Sequence, residues 1–251
     1  MPARRNPNAC PGIVALLVAA TVAGCASAPP AGPSAEERAK SVVASPIRTD
    51  QDRRMDASRN PLAFLPFTGV APGMVVFDLS AGAGYTTQLL ALSVGPTGKV
   101  YAQRPSPGEA LTKRLADHPQ ANIVVVYRPF ADPIPPDVPK VDLITFVNNY
   151  HDFVNAPIDR AQLNRRLYDA LKPGGRLVVV DHAALPGSGT SATRTLHRID
   201  EAVVVAEVTR AGFVLEAEGR FLRHPDDPHT ASSGDGAILT DKFALRFVRP
   251  N

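Results

Sequence analysis

The stretch Met74-Val-Val-Phe-Asp-Leu-Ser-Ala-Gly-Ala-Gly-Tyr-Thr-Thr-Gln-Leu-Leu90 constrains this chain more than any other. Residues 74–79 form a short apolar run entered from Pro72-Gly73, and residues 85–92 form an amphipathic run closed by Gly95-Pro96. That pattern describes a buried strand passing through a glycine turn into a helix. The turn then lies at the carboxyl end of its strand. In open parallel sheets ligands bind there, because glycine lets the backbone approach a ligand and the helix start offers free N–H groups. A tight strand-to-helix turn can also serve without a ligand, so the surrounding pattern has to decide.

Downstream, strands are expected at 98–103, 122–127, 141–148 and 176–181, separated by helices at 108–118 and 159–171 and by a loop at 132–140 that holds four prolines. Alternation of this kind builds a parallel sheet with right-handed crossovers. Residues 141–148 are apolar throughout, as a central strand covered on both faces should be. A mobile glycine loop at 187–190 leads to a long helix expected over 193–211, stopped by Gly212, and strands at 213–221 and 242–249 close the sheet. Before the glycine turn, Ser34-Ala-Glu-Glu37 reads as a capping box opening a helix, and a second polar helix spans 50–59. Leu62, Phe64, Leu65 and Phe67 supply apolar area for one end of the sheet. The fold class expected is α/β, a doubly wound, seven-stranded, mostly parallel sheet of Rossmann-like type with N-terminal helices.

The first residues read as an export signal. Arg4 and Arg5 precede an apolar segment of eleven residues, 13–23, too short to span a bilayer as a helix. Val22-Ala-Gly-Cys25 follows and resembles a bacterial lipobox, which implies lipidation of Cys25 and cleavage before it. Without an aspartate after Cys25, the resemblance implies retention at the periplasmic face of the outer membrane if the host has two membranes. The expected organisation is a signal at 1–24, a lipidated tether with the start of the first helix at 25–45, and one domain at 46–251. Cys10 falls in the removed part, so the mature chain keeps one cysteine, with no internal disulfide and no cysteine zinc site. Without residues 1–24 there are 25 basic against 24 acidic side chains, a balance that excludes a polyanion-binding surface and with it nucleic acid.

The spacing Asp78-x-x-x-Gly82-x-Gly84 resembles motif I of the class I S-adenosylmethionine-dependent methyltransferases, with Ser80 where that motif usually has another glycine. Leu171-Lys-Pro-Gly-Gly-Arg-Leu177 resembles the segment before their fifth strand, and the likeness covers about 60–250. The segments Asn148-Asn-Tyr-His-Asp152, Val180-Asp-His-Ala-Ala184, Leu196-His-Arg-Ile-Asp200 and Thr240-Asp-Lys-Phe243 resemble a group of exported bacterial predicted methyltransferases. The resemblance implies S-adenosylmethionine as cofactor and a small-molecule, envelope or protein acceptor. Asp78 would organise the methionine portion, with Ser80, Ala81, Gly82, Ala83, Gly84 and Tyr85 lying along the cofactor. Asn148, Asn149 and Tyr150 would face it at the end of the fourth strand. His151 is the candidate general base, since an imidazole titrates near neutrality, and Asp152 would orient it. His182 and His197 could join it as a proton-transfer cluster or, with Asp152 or Asp200, as a metal site. No metal-binding spacing such as a helical His-x-x-x-His is present, so no metal is expected.

Two departures from the family pattern stand out. The usual ribose-holding acid after the second strand is replaced by Gln103-Arg104, where Gln103 could accept one hydrogen bond. The acid near the adenine is replaced by Arg128-Pro129, with Asp132 nearby. Arg104 and Arg128 could instead face an anionic group. A second function therefore stands beside methyl transfer, that of a non-catalytic small-molecule-binding protein on the same fold. No Gly-x-Ser-x-Gly elbow is present, which argues against a hydrolase.

Overall fold

Successive residues of each central strand alternate between two apolar layers, and that alternation organises the domain. The computed structural model describes residues 1–3, 32–234 and 239–251. The apolar signal segment, Cys10, the lipobox with Cys25 and the tether to residue 31 lie outside the described residues. Pro33–Asn251 forms one unit.

Its strands are β1 Val75–Leu79, β2 Lys99–Arg104, β3 Ile123–Tyr127, β4 Val141–Val147, β5 Leu171–His182, β6 Val214–Gly219 and β7 Lys242–Val248. They form one seven-stranded sheet in the order β3-β2-β1-β4-β5-β7-β6. Among these strands only β7 runs antiparallel to its neighbours, β5 and β6. Chain order reverses between β1 and β4, the switch point at which open α/β sheets hold ligands. The helices are α1 Ala35–Val43, α2 Asp50–Arg59, α3 Pro61–Thr68, α4 Tyr85–Val94, α5 Glu109–Asp117, α6 Tyr150–Asn155, α7 Arg160–Ala170 and α8 Glu201–Arg210.

The two faces of the sheet divide by strand parity. Phe77, Ile144, Leu177 and Phe247 pack with Leu163 and Leu167 of α7 and with Val204 and Val208 of α8. Val76, Leu143 and Val178 pack on the other face with Leu89 and Leu90 of α4 and with Phe64 and Leu65 of α3.

Both N-terminal helices open on capping boxes, Ser34 with Glu37 and Thr49 with Asp52. Two short helices, α3 and α6, are not legible in the sequence pattern. Asn60 in the left-handed region ends α2 and places Pro61 at the first position of α3, where its missing N–H costs nothing. Of the four apolar residues there, Phe64 and Leu65 are buried and Leu62 is exposed. The helix expected over 193–211 is only α8. Asp200 caps it by accepting from Ala202 N at 3.0 Å, and the same carboxylate accepts from Gly187 N at 2.7 Å, which ties the glycine loop back to the helix start.

Candidate functional site

The glycine turn joins β1 to α4 at the switch point, as its sequence implies, but its side chains are engaged within the protein. Asp78 does not present its carboxylate at the mouth of the turn. It is buried, paired across the sheet with Thr145, and accepts from Thr87 Oγ1 at 2.6 Å and Thr145 Oγ1 at 2.7 Å. Burial pushes its pKa up to about 6 against those two hydroxyls and the charge of Arg59. Ser80 has φ 60°, and its Oγ donates to Asn149 Oδ1 at 2.7 Å, bridging the tips of β1 and β4. Gly82 has φ 56°, and a Cβ there would meet Ser80 O in ordinary contact at 3.9 Å. At Gly84, φ 84°, a Cβ would meet Leu111 Cδ1 at 2.6 Å and Arg114 Cδ at 3.1 Å, so α5 packs closely on that glycine. Ala81 is buried, and the carbonyl of Ala83 accepts from Arg114 Nε at 2.8 Å.

Helix α2 is tied over this turn. Arg114 makes a two-pronged ion pair with Asp52 at 2.7 and 2.9 Å, and the Tyr85 hydroxyl donates to Asp56 at 2.6 Å. Tyr85 therefore faces α2, with the guanidinium groups of Arg48 and Arg59 each 5.6 Å from its ring centre. Burial and the Asp56 carboxylate push its pKa up.

The expected ribose contact is corrected by the structure. Gln103 is fully buried, its Oε1 accepting from Ser80 N at 3.0 Å and its Nε2 donating to Arg128 O at 2.6 Å. Arg104 donates to the carbonyls of Gly82 and Ser106, and Arg128 pairs with Asp132, which Arg166 also holds. Arg128 is thus neutralised by a carboxylate while Arg104 meets backbone carbonyls alone, and Asp132 is committed to two guanidinium groups.

The histidines do converge. His151 is buried, and its Nδ1 lies 2.7 Å from Asp181 Oδ1, while Asp181 Oδ2 accepts from His151 N at 2.8 Å. Asp181, not Asp152, orients the ring. It immediately precedes His182, and its role depends on β4 and β5 being neighbours, which spacing alone does not show. Burial lowers the His151 pKa, but the hydrogen bond and charge of Asp181 outweigh it and the net direction is up. Asp152 Oδ1 lies 3.3 Å from His151 Nε2 and 3.4 Å from His197 Nδ1. The His182 ring centre is 6.1 Å from that of His151, its Nδ1 is 2.8 Å from Thr240 Oγ1, and burial followed by the charge of Lys242 holds it neutral. Asp200 is the cap of α8 and takes no part. Tyr150 is a core residue: its ring packs on Phe146 and its hydroxyl lies 2.8 Å from both Glu207 and Asn164.

One feature of the site joins residues that the sequence pattern left apart, Lys242 of the Thr240–Phe243 segment with Tyr85 and Asn148. A narrow crevice of about 10 Å³ is lined by Arg59, Phe64, Tyr85, Asn148, Leu222 and Lys242. Lys242 is buried, and burial, then Arg59 and Arg198, lower its pKa to about 8. Its Nζ reaches only the carbonyls of Ser58 and Thr240 among the described residues, at 3.4 and 3.5 Å. Asn148, at φ 58°, leaves its buried Oδ1 without a partner among the described residues.

The strand order, the antiparallel seventh strand and the glycine turn at the switch point define the fold of the S-adenosylmethionine-dependent methyltransferases. Solved structures of that class match. A methyltransferase from Aquifex aeolicus is 20% identical, with 80% of this chain and 99% of that one covered and a TM-score of 0.57. The N-methyltransferase NodS from Bradyrhizobium japonicum is 14% identical over 80% of this chain and 98% of its own, with a TM-score of 0.54. A methyltransferase from Mesorhizobium loti is 17% identical over 74% and 98%, also at 0.54. At these identities the likeness is one of fold. No protein-family model matches the chain, and no curated protein matches it.

Proposed function

We propose that the protein is an S-adenosylmethionine-dependent methyltransferase of the cell envelope, lipidated at Cys25 and held at the periplasmic face of an outer membrane. The observation that carries this reading is the glycine turn at the switch point, clash-free at Gly82 and linked through Ser80, Asn149 and Asp152 to the imidazole of His151. The backbone of Ser80–Gly84 and the Asn149 amide are the groups that would hold the cofactor, which supplies an electrophilic methyl group. The chain's own part is to position an acceptor and take its proton. With Nδ1 held by Asp181, His151 keeps Nε2 for that proton. His182 stays neutral behind it, and His197 with Asp152 borders the acceptor. The resemblance to exported predicted methyltransferases supports the envelope location, and a small molecule is the proposed acceptor.

The alternative, a binding protein without catalysis, is favoured by one observation. The Ser80–Asn149 bridge and the doubly bonded Gln103 amide occupy groups that a nucleoside cofactor would use. Calorimetric titration of the mature protein with S-adenosylmethionine and S-adenosylhomocysteine decides between them. Binding that is lost in Gly82→Val supports the methyltransferase reading, whereas no heat and no thermal shift at millimolar ligand ends it. For the anchor, Cys25→Ser should release the protein from membranes, and continued membrane association would contradict lipidation.

A further inference from the structure

The side chains of His151, Asp152 and His197 place three potential ligand atoms within 4.8 Å of one another. The two imidazole nitrogens stand 3.3 and 3.4 Å from the same oxygen, Asp152 Oδ1. Those separations are long for imidazole–carboxylate hydrogen bonds, which fall at about 2.7–2.9 Å when charge-assisted. They match the spacing of ligands around zinc. Its bonds to histidine nitrogen and carboxylate oxygen are about 2.0–2.1 Å, which sets tetrahedral ligand atoms about 3.3 Å apart.

We propose that His151 Nε2, Asp152 Oδ1 and His197 Nδ1 bind one divalent transition-metal ion of the zinc or cobalt class. The surroundings are those of a supported ligand set. Asp181, with no exposed surface, holds His151 Nδ1 and so directs the Nε2 lone pair outward, as carboxylates behind metal-bound histidines do. Asn149 Nδ2 donates to Asp152 Oδ2 at 3.2 Å, leaving Oδ1 for the ion. His197 is held at φ 51°, a backbone conformation that costs a non-glycine residue free energy. It is fixed there by Ser233, whose Oγ donates to His197 O at 3.1 Å, and by its neighbour Arg198, buried and paired with Asp227 at 2.7 Å. Two imidazoles and one carboxylate suit zinc, cobalt or nickel better than magnesium or calcium, and three protein ligands leave a fourth position for water or an acceptor oxygen.

The inference goes beyond the methyl-transfer reading and does not depend on it. An ion at this place would use the His151 lone pair; a hydroxyl bound to it would be more acidic and would release its proton to solvent instead of to the ring.

The test uses the full chain, stripped with chelator and titrated with zinc chloride by calorimetry, and with cobalt chloride by visible absorption. One equivalent should bind, with the cobalt spectrum of a tetrahedral site. Asp152→Asn and His197→Ala, both at half-exposed side chains, should keep the fold by circular dichroism and abolish the cobalt spectrum. Asp181→Asn should weaken zinc about 10–100-fold. Unchanged affinity in the Asp152→Asn, His197→Ala double variant, or no binding by the stripped parent, overturns the proposal. Titration with S-adenosylmethionine in the presence of chelator reports separately on the methyltransferase reading.

Discussion

Asp78→Asn is the most informative perturbation, because the carboxylate of Asp78 is buried at a cost that can be worked out. Its pKa is raised from 3.8 to about 6 in the folded protein. At about 1.36 kcal/mol per unit, the ionised form destabilises the fold by about 3 kcal/mol relative to the protonated form. The sign follows from proton binding. Between about pH 4 and 6 the folded state holds the proton more tightly than the unfolded chain, so this group's contribution is fully present below its unfolded pKa and is lost as pH rises through about 6. Asparagine resembles the protonated acid at every pH, and the Thr87 and Thr145 hydroxyls can rotate to suit it. Urea unfolding of parent and variant from about pH 4 to 8 should therefore give a difference near zero at the acid end, growing to about 3 kcal/mol in favour of the variant above about pH 6. A difference that is flat with pH, or a variant less stable at neutral pH, refutes the reasoning. If the carboxylate is kept for a ligand, the more stable variant should also lose affinity for S-adenosylmethionine.

Lys242→Met should stabilise the protein at neutral pH by about 3 kcal/mol, since the folded pKa is lowered from 10.5 to about 8. The ammonium's cost is fully present below about pH 8 and vanishes as pH rises through 10.5, so thermal melts of parent and variant should converge there. Gly84→Ala must displace the Leu111 and Arg114 side chains besides straining its backbone and should lower the melting temperature clearly, whereas Gly82→Ala makes only an ordinary contact and should cost about 1–2 kcal/mol of backbone strain. Equal losses in denaturant midpoint would contradict that contrast. Arg198→Ala, which leaves the Asp227 carboxylate buried without its partner, should cost about 3–5 kcal/mol by urea unfolding. A loss under about 1 kcal/mol would show that water reaches the pair.

The sheet was legible because each strand carries its own apolar run and each crossover its own punctuation. Residues 141–148 and 122–127 could hardly be anything else, and β4 and β3 fall within a residue of them. The helix over 193–211 failed because apolar spacing continues through residues whose conformation is set by distant partners. Arg198 is drawn inward by Asp227, and Asp200 is claimed by the backbone of Gly187. At the site, the residues were found but several of their partners were not. Asp181 behind His151 and Lys242 beside Arg59 depend on elements adjacent in space and remote in sequence. Tyr150 illustrates the opposite error, since a tyrosine beside a functional histidine on a short helix points to the other side, toward Glu207.

The internal contacts that join the strand tips at the switch point are not equally hard to release, and their ranking says which end of the site can adapt. Ser80 Oγ to Asn149 Oδ1 is a neutral hydrogen bond at the tips of two strands, with a net worth of about 1 kcal/mol, and both groups can turn toward another partner. The Gln103 amide is different. It has no exposed surface and both its polar atoms are satisfied, so turning it outward would leave Ser80 N and Arg128 O unpaired. On the proposed reading, specific contact with a ligand would fall to the β1 and β4 tips, beside Asn149 and His151, and not to the β2 side where the motif resemblance places an acid. The same asymmetry fits the backbone, since Ser80, Asn148 and His197, three non-glycine residues at positive φ, lie around the β1, β4 and β5 ends of the sheet. Strain of this kind persists only where surrounding structure imposes it. Here the imposing contacts are those that bring the His151 imidazole, the Asn149 amide and the glycine turn to one place.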